Sequence, residues 1–525
     1  MKNRGAFFLF AFSLAFYIGV SLLQKTPGYM DASYYFATGT QIATGQTNEP
    51  FLWNYLNSPE TAKAPIFSYW MPLAGLLAAI PMAICGIHSF QVARVLFIIL
   101  AALIPVFCFL FVKKFTENKV IHWMAAAFGL LGGYYLPYLT LTETFTPFFV
   151  LGGIFFWLTF DLVKRDTANP YWKWLLLGGI AGLMHLCRAD GILWLGGAFL
   201  VCLVGTDWRK WRVGQLFSKF GLVALGYLLI LAGWFLRNIL VYHALFPIGS
   251  NLTLWMTEYN DLFVYPASIL TPDRWVASGI QALLSVRSEA LLTNLQSVVG
   301  IIGGIVLFPF LVAGLWKLRH EKVVQFALFM FLLLLILMSF VFPFAGSRGG
   351  FFHSVSAFQI LFWAISAYGF EVSIRWIAAK RKWQVKKSIP LLGSTLVLVF
   401  AIISSLTLYI KIAGLTDLST GWDRPFANYQ RVDAFLRQET GDAGSRVMVN
   451  DSPGYFVATG RETIQEANAD IATLGDMFSK YELKYLLIGK DHLPSLDELY
   501  QTTETFGKFK FIGKEGEYVI YAFLQ

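Results

Sequence analysis

Two acidic residues in this sequence lie beside long apolar segments, where a carboxylate is costly. Asp31 stands in YMDASYY directly after the first apolar run, and Glu143 stands in LTLTETFTPFF between two others. A carboxyl group among aromatic, partly desolvated neighbours has a raised pKa and can serve as a general base. A carboxylate near membrane depth also tends to face a cavity. For Asp31 alone, the alternative is a solvated carboxylate or a helix cap. For Glu143 alone, it is an interfacial acid that reaches into water.

Three basic residues near apolar segments have the chemistry to bind a phosphate group. Arg237 closes an apolar segment, Arg348 lies in the loop FAGSRGGFFHS, and Lys63 lies in ETAKAPIFSYW. A guanidinium fork matches the oxygens of a phosphate. Contact with lipid headgroups is the alternative function for each of these side chains.

Two further groups allow more than one interpretation. Arg188 and Asp190, in HLCRADGILW, interrupt two apolar segments and form either a local ion pair or an anion-steering pair. His353 is either a metal ligand or a hydrogen-bonding residue. The four cysteines lie in apolar segments without metal-type spacing, which indicates buried thiols.

The composition is that of a membrane protein. Of the 525 residues, 56% are hydrophobic and only 14% are charged, whereas soluble domains have about 25% charged residues. The net charge of +9 comes from short loops between apolar segments, where basic residues determine orientation. No nucleic-acid-binding motif is present, so nucleic acid is excluded as a partner.

Apolar runs of spanning length predict about eleven membrane helices. They cover 6–24, 91–112, 120–141, 144–163, 172–189, 191–206, 215–236, 292–316, 323–345, 354–374 and 389–411. A further run at 66–85 contains Pro72 and Pro81 and is rich in aromatic residues at its start. Whether this run spans decides on which side every later loop lies.

The positions of the basic loops predict that 66–85 does not span. These loops cover 113–119, 164–173, 209–212, 317–322 and 375–387. With Lys2 and Arg4 placing the N-terminus inside, all five loops lie inside only if 66–85 stays at the interface or re-enters. The loop from 25 to 90, Glu143 and the C-terminal region then lie outside. The first span is predicted to be a retained signal anchor.

Beyond residue 414 the composition changes to that of a soluble domain. VDAFLRQETG and IATLGDMFSKY predict helices, and RVMVND, YFVATG, YLLIG, FKFIG and EYVIYAF predict strands. We therefore predict a membrane domain over 1–414 and a small extracytoplasmic α/β domain over 415–525. Asp451, before Pro-Gly, is interpreted as a turn residue in preference to an active-site acid.

The order of these features resembles the GT-C superfamily of membrane glycosyltransferases. The resemblance covers about residues 20–375 and is carried by Asp31 after the first span, Lys63-Ala64-Pro65 leading to Tyr69-Trp70, an arginine starting the second span, Glu143, and Arg237-Asn238. Within the superfamily the chain is most similar to the bacterial family-39 type, which is related to protein O-mannosyltransferases and to the aminoarabinose transferase of lipid A.

The resemblance implies an inverting transfer of a monosaccharide, hexosyl or pentosyl, from a polyprenyl-phosphate donor on the outer face. It implies Asp31 and Glu143 as the catalytic acids. The accompanying assignments are donor-phosphate binding by Arg237, Arg348 and Lys63, and sugar or acceptor binding by Glu60, Tyr69, Trp70 and His353. No cofactor is certain, and a divalent metal is left open.

On this interpretation the partners are a polyprenyl-phosphate-linked sugar, membrane lipid, and an acceptor that is a glycan, a lipid or a protein. The expected location is the bacterial plasma membrane, with the N-terminus in the cytoplasm and the C-terminal domain outside. A transporter or flippase of lipid-linked sugars is the alternative function. It predicts inverted repeats and interrupted spans near the membrane midplane, and neither pattern is visible in the sequence. A membrane scaffold would leave Asp31, Glu143 and the outer arginines without a role.

Overall fold

The structure, a computed structural model, describes residues 4–163, 170–206, 213–247, 249–414, 421–502 and 504–524. Most of these residues are helical. The first helices are α1 (Arg4–Leu22), α2 (Met30–Ala43), α3 (Leu73–Cys85), α4 (Phe90–Ala93), α5 (Val95–Val112), α6 (Lys119–Leu131), α7 (Phe145–Leu162), α8 (Tyr171–Cys187), α9 (Leu193–Val204) and α10 (Val213–Tyr242). They are followed by α11 (Gly249–Leu252), α12 (Pro272–Ala277), α13 (Ile280–Ser297), α14 (Phe308–Lys317), α15 (Lys322–Ile336), α16 (Pro343–Ala345), α17 (Phe351–Val355), α18 (Gln359–Arg381) and α19 (Val385–Ala413).

Seven helical stretches in the described ranges are long and apolar enough to cross a membrane. They are Arg4–Leu22, Phe90–Val112, Phe145–Leu162, Gly214–Tyr242, Lys322–Val341, Pro343–Arg381 and Val385–Ala413. Shorter apolar helices, α3 among them, accompany these stretches. The predicted polytopic helical fold is confirmed, and the number of crossings stays a prediction.

The segment 292–316, predicted as one span, is interrupted. Helix α13 ends at Ser297, a π-helical turn continues to Ile302, and α14 begins only at Phe308. Between them Gly304 and Ile305 have φ angles of 53° and 57°, in the left-handed region that terminates a helix. The prediction of one continuous helix is wrong here because hydropathy does not show where residues adopt left-handed φ angles and end a helix.

Glycines allow helices α8 and α10 to approach closely. A Cβ atom at Gly178 of α8 would lie 2.0 Å from the carbonyl oxygen of Val223 in α10, and one at Gly226 of α10 would lie 2.0 Å from that of Leu175. Such contacts leave no room for a side chain, so the two backbones touch. Because α8 is fixed in this way, the position of Arg188 at its end is fixed as well.

Basic loops from different parts of the chain meet at one end of α7. Lys114 approaches Asp161, near the last residue of α7, to 3.8 Å. The Thr116 hydroxyl donates to Glu371 at 2.6 Å, and Arg375 pairs with the same carboxylate at 2.6 Å. These contacts place the loops around 113–119 and 375–387 at the same end of the helical bundle.

Glu143 precedes α7 and therefore lies at the opposite end of that helix. An 18-residue helix is about 27 Å long, close to the thickness of a hydrocarbon core of about 30 Å. The separation agrees with the prediction that basic loops and acids lie on opposite sides. Which compartment each end faces stays a prediction, and the predicted basic residues Lys164, Arg165, Arg209, Lys210 and Arg212 lie outside the described ranges.

The C-terminal region forms a mixed α/β layer at the end of the bundle where Glu143 lies. Its helices are α20 (Arg424–Thr440), α21 (Ser452–Thr459), α22 (Ile471–Lys480) and α23 (Asp497–Gln501). The strands of the chain are β1 (Phe51–Leu52), β2 (Arg446–Val449), β3 (Thr463–Gln465), β4 (Leu483–Ile488), β5 (Phe509–Glu515) and β6 (Tyr518–Phe523). They form one sheet in the order β1-β3-β2-β4-β6-β5. The pairs β1–β3, β3–β2 and β2–β4 are parallel, and the pairs β4–β6 and β6–β5 are antiparallel.

One predicted strand of this region, YFVATG, is instead the helix α21. Asp451 caps the helix by accepting a hydrogen bond from the Gly454 N–H at 3.0 Å, Pro453 lies in the first turn, and Gly460 ends the helix in the left-handed conformation. Alternation of apolar residues suggested a strand, but the cap, the proline and the glycine are helix signals. Asp451 is thus a helix cap in the structure.

The first outer loop and the C-terminal region share the sheet. Strand β1, from the loop after the first span, pairs with β3 through Phe51 opposite Thr463. Ser452 donates to the Leu52 carbonyl at 3.3 Å, and α21 packs against α2. The predicted boundary falls at 415, next to residues 415–420 outside the described ranges. The division into two domains stays a prediction, although the sheet joins both parts.

Candidate active site

Asp31 lies in the first turn of α2. The helix begins at Met30 because Tyr29 is extended, with φ −155° and ψ 168°. The Thr142 hydroxyl donates to the Ala32 carbonyl at 2.8 Å, which joins this turn to the segment that carries Glu143. This hydrogen bond holds the turn that carries Asp31 next to the segment that carries Glu143, so the two predicted catalytic acids lie next to each other.

A buried carboxylate, that of Glu49, holds helix α2 through a hydrogen bond with Tyr34. Glu49 is 1% exposed. It accepts hydrogen bonds from the Tyr34 hydroxyl of α2 and from Ser68 Oγ at 2.8 Å. Burial raises the pKa of Glu49 to about 7, against the hydrogen bonds, which lower it. Glu49 has no role in the predictions from the sequence. Its position between aromatic residues of the loop was the signal that it is buried.

Asp31, Glu143 and His353 form a cluster in which one ligand atom of each lies within 4.8 Å of the others. His353 Nδ1 lies 3.0 Å from Glu143 Oε1, and Thr144 Oγ1 donates to the same oxygen at 3.0 Å. The Phe145 ring stacks on the His353 imidazole with centroids 3.8 Å apart. Three residues that sequence analysis singled out separately are thus brought together by three distant segments.

The electrostatics of the two carboxyl groups differ. Burial and, to a smaller extent, the neighbouring Glu143 raise the pKa of Asp31, Arg188 opposes both, and the net result is a pKa of about 8. Burial alone would also raise the pKa of Glu143, but His353, the Thr144 N–H and Arg188 lower it below its ordinary value. Asp31 is therefore the group of the pair that holds a proton near neutral pH, and a positive charge beside it would release that proton.

The cluster has the donor atoms that a divalent cation requires. Two carboxylates and one imidazole are ligands common to Mg²⁺, Mn²⁺ and Zn²⁺. Among the described residues this is the only such group of three or more acidic, histidine or cysteine side chains. The residues therefore fit the divalent metal that sequence analysis left open, and the metal itself stays a prediction.

A first cavity of about 490 Å³ opens on one side of Asp31. Its polar lining includes Asp31, Glu143, Arg188, Asp190, Tyr69 and Trp70. Its apolar lining includes Ile192, Leu193, Leu337, Met338 and Phe342. A lining that combines charged and apolar side chains suits an amphipathic ligand whose head group reaches the acids.

Arg188 is the one cation on the described wall of the first cavity. Its Nε donates to Asp190 Oδ1 at 2.9 Å, and its Nη2 lies 3.4 Å from Ser354 Oγ. The guanidinium thus retains donors beyond its pairing with Asp190. From the sequence, Arg188 and Asp190 form either a local ion pair or an anion-steering pair. The structure contains the ion pair and places it in the cavity.

A second cavity of about 370 Å³ opens on the other side of Asp31. Asp31 and His353 belong to its wall together with aromatic and basic side chains. The aromatic side chains are Tyr29, Tyr138, Phe145, Phe352 and Trp422, and the basic ones are Arg348 and Lys411. Asp31 is therefore the residue common to both cavities.

Three other predicted site residues lie away from both cavities. Lys63 pairs with Glu462 of the C-terminal region at 3.1 Å. Arg237 donates to the Ile66 carbonyl, and Glu60 is exposed on the loop surface. Tyr69 and Trp70, by contrast, line the first cavity and Arg348 lines the second. The predicted donor-phosphate group is thus not brought together, and the roles of all these residues stay predictions.

Comparison with solved structures identifies the architecture. The fold matches ArnT from Cupriavidus metallidurans in the apo state with a TM-score of 0.58 and 12% identity, over 99% of this chain and 98% of that one. The same enzyme bound to undecaprenyl phosphate gives 0.57 and 12%, over 99% and 98%. The chain has the GT-C fold. This confirms the predicted resemblance at the level of the fold.

The GT-C fold extends to a more distant structure. The archaeal oligosaccharyltransferase AglB from Archaeoglobus fulgidus, in complex with an inhibitory peptide and a dolichol-phosphate, matches with a TM-score of 0.51 and 12% identity, over 100% of this chain and 75% of that one. No family model matches the sequence, and no curated protein matches it significantly.

Proposed function

We propose that this protein is a membrane glycosyltransferase that moves a monosaccharide from a polyprenyl-phosphate donor to an acceptor hydroxyl. The observation that carries the proposal is the position of Asp31, which lines two separate cavities at once. A transferase needs two substrates to meet at one catalytic group, and a carboxyl group between two cavities meets that need.

The first cavity is the proposed donor site. Its apolar lining residues suit the lipid, and its charged lining residues suit the phosphate and the sugar. Arg188 is the proposed phosphate ligand because its guanidinium lies in the cavity and matches phosphate oxygens. The structural neighbours bound to undecaprenyl phosphate and dolichol-phosphate support a lipid phosphate as the donor carrier. Tyr69 and Trp70 offer faces to the sugar ring.

The proposed reaction is one displacement with inversion. The acceptor hydroxyl enters through the second cavity and attacks the anomeric carbon of the donor. Asp31, in its deprotonated form, takes the hydroxyl proton as the new C–O bond forms. The bond from the anomeric carbon to the phosphate oxygen breaks, and its electron pair stays on the polyprenyl phosphate, whose charge Arg188 stabilises. Glu143 and His353, paired at 3.0 Å, hold the geometry around Asp31.

The test is turnover by the purified full-length protein. Undecaprenyl phosphate carrying a radiolabelled sugar is added to the protein in lipid nanodiscs with a membrane extract as the source of acceptor. We expect labelled sugar in a new product and free undecaprenyl phosphate in equal amounts. Movement of intact labelled lipid across a vesicle membrane, without cleavage of the sugar–phosphate bond, would support the flippase alternative and contradict the proposal.

We further propose that the cluster of Asp31, Glu143 and His353 binds a divalent cation. When bound, the cation would offset the two carboxylate charges and favour the deprotonated form of Asp31. We expect about one Mn²⁺ per chain by electron paramagnetic resonance, and loss of that signal in His353→Ala. Turnover should fall at least about tenfold after chelation and recover with Mn²⁺. Full activity in chelated, metal-free protein would contradict this prediction.

We also propose the orientation predicted from the basic loops, with the site on the extracytoplasmic face of a bacterial plasma membrane. Cys85 is the one exposed cysteine, whereas the other three are buried, so Cys85→Ala gives a suitable background. In intact cells an impermeant maleimide should label Glu60→Cys, in the first outer loop, but not Lys380→Cys, at the end of α18. If Lys380→Cys is labelled and Glu60→Cys is not, the orientation is the reverse of the one proposed.

A further inference from the structure

The second cavity contains positive charge that the proposed chemistry does not use. Arg348 and Lys411 are its two strong cations, and both are exposed. Neither has an ion-pair partner within the described ranges, where Arg348 only stacks over the Tyr259 ring at 4.4 Å. Asp31 is the one carboxylate on the described part of this wall. The wall therefore has a surplus of positive charge facing the place where an acceptor would enter.

The same wall presents aromatic surfaces. The Tyr29 ring contacts Tyr138 and Trp422 edge to face, at 5.7 and 6.2 Å, and these three side chains line the cavity. Aromatic surfaces of this kind pack against the ring or carbon skeleton of a ligand.

We infer that the second cavity binds an acceptor carrying an anionic group, a phosphate or a carboxylate, close to its acceptor hydroxyl. Arg348 and Lys411 contact the anion, and the aromatic side chains contact the ring or carbon skeleton of the acceptor. This inference rests on the proposed function for the word acceptor, but the binding of an anion in this cavity can be measured without any transfer reaction.

The position of the two cations favours this assignment over donor binding. The first cavity has its own guanidinium, Arg188, and the apolar lining that a polyprenyl chain requires. Arg348, which sequence analysis assigned to the donor phosphate, lines only the second cavity. Asp31 lines both the cavity that contains Arg188 and the cavity that contains Arg348, so it can accept a proton from a ligand in the second cavity.

The experiment measures binding of glucose 6-phosphate and of glucose to the full-length protein in nanodiscs of neutral phosphatidylcholine. Low ionic strength is used because exposed charges are screened by salt. We expect glucose 6-phosphate to bind at least about tenfold more tightly than glucose, as a charge-assisted hydrogen bond contributes on that scale. Equal binding of the two sugars would overturn the inference.

Variants then locate the site. Arg348→Gln and Lys411→Gln should each weaken binding of glucose 6-phosphate about tenfold, while Arg348→Lys should retain most of it. Lys510→Gln, which removes one exposed charge from β5 outside the cavity, is the matched control and should change nothing. Unchanged binding in both cavity variants would overturn the inference. Weaker binding of undecaprenyl phosphate in Arg348→Gln, with glucose 6-phosphate unaffected, would instead assign Arg348 to the donor.

One further comparison distinguishes a lipid headgroup from a soluble acceptor as the source of the anion. A second distinguishes failure of this inference from failure of the proposed function. If nanodiscs with phosphatidylglycerol abolish glucose 6-phosphate binding in wild type but not in Lys411→Gln, the cations bind lipid headgroups, and the inference is overturned. Release of undecaprenyl phosphate in the turnover assay tests the proposed function separately. Binding without turnover contradicts the function alone, and turnover with no anion binding contradicts this inference alone.

Discussion

Asp31→Asn is expected to lower the rate of sugar transfer by about 10²–10⁴-fold, the usual contribution of a general base. Asparagine has nearly the same shape and remains a suitable first-turn residue, but its amide does not accept a proton. Asp31 is the one carboxylate among the described residues that lines both cavities, so no other carboxylate on these walls faces both proposed substrates. The loss should appear in kcat, with donor binding nearly unchanged, in the turnover assay with labelled undecaprenyl-phosphate sugar.

Asp451→Asn is the matched control for this substitution. Asp451 is partly buried, as Asp31 is, and it caps α21, the helix that packs against α2, but it lines neither cavity. Asparagine caps a helix about as well as aspartate, so we expect less than about a threefold change. Transfer at the wild-type rate by a folded Asp31→Asn protein would refute the base assignment.

Arg188→Gln is expected to lower transfer by about 10²–10³-fold, as removal of a group that stabilises transition-state charge does. The guanidinium lies in the first cavity beside Asp31 and Glu143, where low dielectric strengthens its attraction to the leaving phosphate. Binding of undecaprenyl phosphate should weaken as well. Arg188→Lys keeps the charge and should retain part of the activity, although it loses the bidentate geometry.

The Arg188 prediction needs a control for folding, because the substitution leaves Asp190 without its 2.9 Å partner. The double variant Arg188→Gln, Asp190→Asn removes both charges and should be equally inactive but as stable as wild type. Arg237→Gln and Lys63→Gln test the residues that the sequence assigned to the donor phosphate. If Arg188 substitutions have weak effects on transfer and Arg237→Gln and Lys63→Gln have large ones, the donor phosphate is bound by Arg237 and Lys63 and not by Arg188.

Some features of this protein were determined by the sequence alone, because they depend on local composition. Long apolar runs with basic loops predicted a polytopic helical protein, since hydropathy and charge decide what enters a membrane. The helix over 424–440 ends at Gly441 in the left-handed conformation, as the final glycine of VDAFLRQETG predicted. The first-loop acid and the acid at Glu143 were likewise recognisable because carboxylates are rare beside apolar segments.

The tertiary structure decided which of these residues meet. Asp31, Glu143 and His353 are far apart in the chain, and only the packing of α2, α7 and α17 places their ligand atoms within 4.8 Å of each other. Packing also placed Arg188 in the first cavity and paired Lys63 with Glu462, because contacts between distant segments do not depend on the spacing of residues along the chain. Hydropathy and spacing thus identified the acids, but the two cavities that meet at Asp31 exist only in the folded chain.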